Sequence, residues 1–165
     1  MLHDTEDPVR VYFLCGKIGS GKSWTARRLA SRGATMVFNL DELMEPLFGQ
    51  GLGRELYQRK LAICRDFLFG LADQALTAGL SVVFDYGFWS REDRRQAAER
   101  MRSWKQAFVY LPLDETEQLR RVEARNASAD RTYAFTPEQL RQLNAFFEEP
   151  GEDEGLPFVR LDDLV

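Results

Sequence analysis

Short apolar runs alternate with amphipathic stretches along the chain, and this alternation sets the first constraint. The runs at residues 9–15 (VRVYFLC), 34–40 (ATMVFNL), 81–86 (SVVFDY), 106–113 (QAFVYLPL) and 157–161 (PFVRL) are rich in Val, Phe and Tyr. They predict five strands of the kind found in a parallel sheet covered on both faces. Between them apolar positions recur at helical spacing. Residues 22–31 predict a helix stopped by Gly33. Residues 54–78 predict a long helix whose apolar stripe comprises Leu56, Leu61, Ile63, Cys64, Phe67, Leu68, Leu71, Ala75 and Leu76, closed by Gly79. Ser90, with Asp93 three residues on, opens a helix over 90–104, and Asp114 opens one over 114–126. Thr136, Pro137 and Gln139 supply cap, first turn and box position for a helix over 136–148. Strand–helix alternation of this kind predicts an α/β sandwich of three layers. The polar stretches at 48–55, 126–135 and 148–155 read as surface loops of one domain spanning 1–165.

Chemistry enters where the first strand ends. Gly16, Gly21, Lys22 and Ser23 fit G-x-x-x-x-G-K-[ST], between a strand and a helix. In such a loop the backbone amides of Gly16, Lys17, Ile18, Gly19, Ser20, Gly21, Lys22, Ser23 and Trp24 turn inward around an anion, and the helix N-terminus adds its dipole. Lys22 is expected to reach the β- and γ-phosphates of ATP, and the Ser23 hydroxyl to hold Mg²⁺. The pattern predicts a P-loop NTPase fold with a small lid.

Two carboxylates end strands on the same edge. Asp85 closes "SVVFD", where a carboxylate emerges near the metal; a solubilising or capping aspartate is the alternative. Asp41 closes the strand after the phosphate loop, in "VFNLDEL". It is placed to accept or orient the proton of an incoming hydroxyl, or else to cap a helix starting at Glu42. Arg121 and Arg125, four residues apart in "LRRVEARN", share a helix face and can address one anion together, with a lid over about 126–136 that also carries Arg131. The same spacing lets Glu117 pair with Arg121. A second basic cluster follows Asp85; most of it reads as salt-bridged surface, with Arg94 or Arg95 as candidates to face an anionic substrate. Tyr86, Phe88 and Trp89 either line a pocket or pack in the core.

Composition narrows the classes. A net charge of −4 argues against sequence-independent nucleic-acid binding as the main role. The one histidine, His3, leaves no His-based triad, and Cys15 and Cys64 sit among apolar neighbours as buried free thiols. No apolar run approaches the ~18 residues of a membrane span. With neither that nor a signal-peptide pattern, the expected address is the cytoplasm, with no membrane partner.

The phosphate loop, the "NLDEL" aspartate, "VVFDYGFWSREDRR" and "LRRVEARN" together resemble the small P-loop kinases of the polynucleotide kinase, chloramphenicol phosphotransferase and zeta-toxin type, often described only as AAA-type ATPases. The resemblance covers residues ~9–150. It implies five parallel strands with the phosphate-loop strand central. It also implies Asp41 as the base at the acceptor hydroxyl, Arg121 and Arg125 on the ATP phosphates, and "FFEEPGEDEG" packed near the adenine. The small residues usual after the second aspartate are replaced here by Tyr86, Gly87, Phe88 and Trp89, so the acceptor pocket departs from the family's. The expected activity is transfer of the γ-phosphate of ATP·Mg to a hydroxyl of a small molecule, nucleotide or nucleic-acid 5′-end. The alternative is an ATP-binding or hydrolysing regulatory module without an acceptor.

Overall fold

The computed structural model describes residues 9–49, 52–127 and 134–164. All five expected strands form: β1 (Arg10–Cys15), β2 (Thr35–Asn39), β3 (Ser81–Gly87), β4 (Lys105–Tyr110) and β5 (Phe158–Val159). They pair in parallel in the order β2-β3-β1-β4-β5, which makes β1 central. The chain leaves β1 toward one edge and reaches its other side only after β3. Such a reversal opens a crevice at the carboxyl ends of the strands, where α/β sheets bind ligands.

The continuous apolar character of β1 has a simple cause, because its alternating side chains serve two cores. Val11, Phe13 and Cys15 face α2 (Leu40–Phe48), α3 (Arg54–Thr77) and α4 (Arg91–Arg100). Tyr12 and Leu14 face α1 (Lys22–Ala30) on the opposite side. Phe13 stacks on Phe108 at 4.5 Å and on Phe84 at 5.7 Å, tying the three middle strands together. Both cysteines are free and buried. Among the described residues no helix is long and apolar enough to cross a membrane.

The stripe expected along α3 is only partly right. Leu61, Cys64, Leu68, Ala75 and Leu76 are buried, joined by Phe69 and Ala72, but Leu56, Ile63 and Phe67 stand 44%, 64% and 60% exposed. At about 100° per residue, Ile63 and Phe67 are turned away from the seam that Cys64 and Leu68 occupy. The periodicity gave the helix but made its buried face too wide.

After α5 (Glu115–Asn126) and α6 (Pro137–Asn144) the acidic segment 148–154 straps across the β3–α4 turn. Glu148 N donates to Trp89 O at 2.9 Å and Tyr110 Oη to Glu149 Oε1 at 2.8 Å. Arg94 is fully buried: Nε and Nη2 each meet a Glu154 oxygen at 2.7 Å, and Nη1 donates to Phe88 O at 2.9 Å. Arg95 is spent on Glu92, at 2.8 and 2.7 Å. Arg94 is a bolt inside the fold and so is closed to a substrate, while Arg95 belongs to an exposed surface pair.

Burial raises the Glu154 carboxyl, but the Arg94 hydrogen bonds and the Gly151 amide outweigh it, so the group lies below its ordinary range. Its contribution to stability is therefore present above the usual carboxylate range and is lost as pH falls through the depressed value. Glu154→Gln keeps the shape and strands the guanidinium. Both side chains are almost wholly shielded from solvent, so the expected loss is about 3 kcal/mol, the lower end for a broken buried ion pair because Gln still accepts one bond. Urea unfolding measures it, and an unchanged midpoint would contradict the bolt.

Candidate active site

The glycines of the phosphate loop answer two different needs, close approach at Gly16 and left-handed backbone at Gly19 and Gly21. A Cβ on Gly16 would lie 2.5 Å from Ser20 Oγ and 3.0 Å from Leu111 O. Gly19 and Gly21 hold φ of 82° and 94°, which other residues adopt only under strain. Gly16 N donates to Gly87 O at 3.1 Å, so the loop starts against the end of β3. Gln118, fully buried on α5, donates to Ile18 O at 2.9 Å and exchanges bonds with Asn144 of α6 at 3.2 and 2.7 Å. Nothing in the local sequence marks this clamp, because it joins residues far apart in the chain.

The α1 N-terminus begins at Gly21 with no side-chain cap and no acidic residue in its first turn. Its leading amides and its dipole are thus left for an external anion. Ser20 Oγ is buried, with no hydrogen-bond partner among the described residues. A hydroxyl in that state is costly unless a bound group completes it. On these grounds the loop fits a nucleotide's phosphates.

Lys22 Nζ donates to Gly16 O at 3.0 Å and Lys17 O at 2.8 Å, which holds the ammonium over the loop. Burial lowers the Lys22 pKa, and the nearby Asp85 and Asp41 only partly offset this. Asp41 is the mirror case: burial raises its carboxyl, Lys22 lowers it, and Asp85, Glu42 and Glu45 raise it again, with a net upward shift. Lys22 is half-buried and Asp41 exposed, as at the mouth of an open crevice. Lys22, Asp41 and Asp85 form one electrostatic cluster at the strand ends. Cys15, just behind it, has its thiol pushed up to about 12 by burial and stays protonated.

Asp41 does not cap α2. The cap is Asn39, whose Oδ1 accepts from Asp41 N at 3.0 Å and Glu42 N at 3.2 Å, so the helix starts at Leu40 and the Asp41 carboxylate is relieved of that duty. Asp85 is buried at the end of β3 and accepts from Asn39 Nδ2 at 3.2 Å. Ser23 is the exposed second residue of α1. Among the described residues no group of three acids, cysteines or histidines could hold a metal by itself. Magnesium commonly takes only one or two protein ligands and completes its shell with phosphate and water, so Ser23 and Asp85 fit that habit.

On the other rim, Arg121 makes the Glu117 pair that its spacing allowed and also reaches the phosphate loop. Nε pairs with Glu117 at 2.6 Å, and Nη1 donates to Gly19 O of the loop at 3.3 Å. Arg125 lies near enough to Lys22 to contribute to its lowered pKa, and its guanidinium sits 5.8 Å from the Phe135 ring centre. Asn126 and Phe135 exchange two bonds, at 2.8 and 3.2 Å, which close the base of the expected lid. Residues 128–133 of that lid, with Arg131, lie outside the described residues. Lys17 Nζ stands 5.6 Å from the Phe147 ring, and Phe147 also packs on Trp89 and Tyr110. Trp24 is 55% exposed, with Arg28 over its ring. Phe88 is a core residue, buried against Phe13, Phe84, Tyr86 and Phe108.

The family profile AAA_33, described as an AAA domain, matches residues 11–150. The chain belongs to the AAA_33 family. That assignment and the fold bear out the resemblance to small P-loop kinases. A comparison with curated proteins gives no match. Among solved structures, the AAA_33 chain is similar to a gluconokinase from Sinorhizobium meliloti 1021, with 17% identity and a TM-score of 0.61, covering 95% of this chain and 87% of that one. It is similar to Chaetomium thermophilum Kti12, solved in complex with ADP-AlF3, at 16% identity and 0.64, covering 91% and 87%. It also matches a chain of the Pnkp1/Rnl/Hen1 RNA repair complex at 15% identity and 0.67, covering 87% of this chain and spanning 45% of that one. At these identities the likeness is one of fold.

Proposed function

We propose that the protein is a phosphotransferase that moves the γ-phosphate of ATP, bound with magnesium, to a hydroxyl of a small molecule, a nucleotide or a nucleic-acid 5′-end. One observation carries the reading: a carboxylate freed from capping, Asp41, shares a crevice with the loop lysine at the mouth of an uncapped helix. The loop and α1 bind the phosphates, and Lys22 balances charge on them. Arg121 and Arg125 hold the opposite rim. Ser23 and Asp85 would hold the magnesium, which spreads phosphate charge during transfer. Asp41 orients the acceptor and takes its proton at a carboxylate oxygen.

The direct test supplies γ-labelled ATP with nucleosides, sugars, antibiotics and 5′-hydroxyl oligonucleotides. Label on one acceptor class supports the reading. Hydrolysis to inorganic phosphate with every acceptor left unlabelled would replace it by a regulatory ATP-binding module.

The raised Asp41 pKa carries a signed consequence. A base works only when deprotonated, so the acid limb of the turnover profile should lie above the ordinary carboxylate range. Glu42→Gln removes one of the charges that raise Asp41 and should move the limb to lower pH. A limb that rises or stays put in a kcat–pH titration counts against Asp41 as the base.

A further inference from the structure

Asn39 is the last residue of β2 and stands in register with Asp85 of β3. Its amide works in two directions. The oxygen accepts the backbone N–H groups of Asp41 and Glu42, at 3.0 and 3.2 Å, and so fixes the first turn of α2. The nitrogen donates to Asp85 Oδ2 at 3.2 Å and reaches Glu42 Oε1 at 3.4 Å. The partners dictate this orientation. A flipped amide would set its NH₂ against two N–H donors and its oxygen against a carboxylate. Among neutral side chains, only an amide combines a short acceptor with a short donor in this way. Aspartate would keep the cap and place a second acid beside Asp85; serine would keep the cap and lose the reach.

We infer that Asn39 is a positioning residue that locks the two acids of the transfer site together. It holds the Asp85 carboxylate by one end and the backbone from which Asp41 projects by the other. The inference rests on the proposed roles of Asp85 at the metal and Asp41 at the acceptor. The Asn39 bond to one oxygen of Asp85 fixes the orientation of the carboxylate that would hold the cation. Because the same amide caps α2, displacement of Asp85 shifts the start of the helix that carries Asp41.

The test is Asn39→Ser, alone and combined with Asp85→Asn. Calorimetry measures ATP binding with and without magnesium, and the magnesium dependence of γ-phosphate release to water is read in parallel. Asn39→Ser should leave the melting temperature within a few degrees and metal-free ADP affinity unchanged. The magnesium-dependent strengthening of ATP binding should fall by about tenfold, the worth of one hydrogen bond to a charged group. In the Asp85→Asn background it should add nothing further. An equal loss in both backgrounds, or an unchanged magnesium dependence, would overturn the inference. A wild-type protein that binds ATP·Mg but neither hydrolyses it nor phosphorylates any acceptor would sink the phosphotransferase reading instead, while the calorimetric cycle would still decide the role of Asn39.

Discussion

Lys22→Ala is expected to lower turnover by about 10³-fold and to weaken ATP binding at the same time. The ammonium is held by two loop carbonyls and faced by Asp41 and Asp85, so it is placed before any ligand arrives and needs little reorganisation. A charge placed in advance against a transferring phosphoryl group stabilises it without reorganisation, with losses of about 10²–10³ when one such group is removed. Alanine also leaves Gly16 O and Lys17 O without their donor, which loosens the loop itself. Steady-state kinetics and calorimetry on one preparation measure both effects. Wild-type turnover in the variant would refute the assignment of the site.

The second large effect separates chemistry from binding. Asp41→Asn should leave ATP affinity near normal and reduce transfer by at least about 10²-fold, the typical contribution of a positioned base. The expectation is sharper because the capping role has been taken over by Asn39. The substitution removes a charge without unwinding α2, so the melting temperature should hold. Lost ATP binding would recast Asp41 as a partner that keeps Lys22 in place. Full activity would hand the proton to water or to another group.

The sheet and the phosphate loop were legible because their signals are local. Runs of Val, Phe and Tyr gave all five strands, the first three within a residue at each end, while β4 stops three residues early and β5 keeps only two. Of the motif glycines, Gly21 takes a positive φ. The Thr136 capping box was readable for the same reason, since cap and partner are three residues apart. At Ser90 the shorter Asp93 side chain meets the serine hydroxyl at 2.8 Å, and no full box forms.

What escaped the sequence depends on register and distance. Asn39 finds Asp85 across 46 residues, and Gln118 reaches Ile18 across 100. No pattern in a window of helical or strand length contains both partners. Arg94 looked like its neighbours in a run of alternating charge, and only the fold shows which one turns inward. The aromatic substitution after Asp85 has its own backbone signature: Gly87 at φ 102° and Phe88 at φ 44°. The Phe88 strain, of order 1 kcal/mol, is held by a ring buried in the core and by the Arg94 bond to its carbonyl.

The Arg94–Glu154 bolt also bears on how the protein comes into being. On the ribosome the guanidinium emerges 60 residues ahead of the carboxylate that neutralises it. Until then, sealing α4 against the turn after β3 would trap a lone cation at the cost of a broken buried pair. That corner supports Gly87, whose carbonyl holds the first amide of the phosphate loop. The phosphate loop, translated ahead of both Arg94 and Glu154, thus waits for Glu154 before its shape is final.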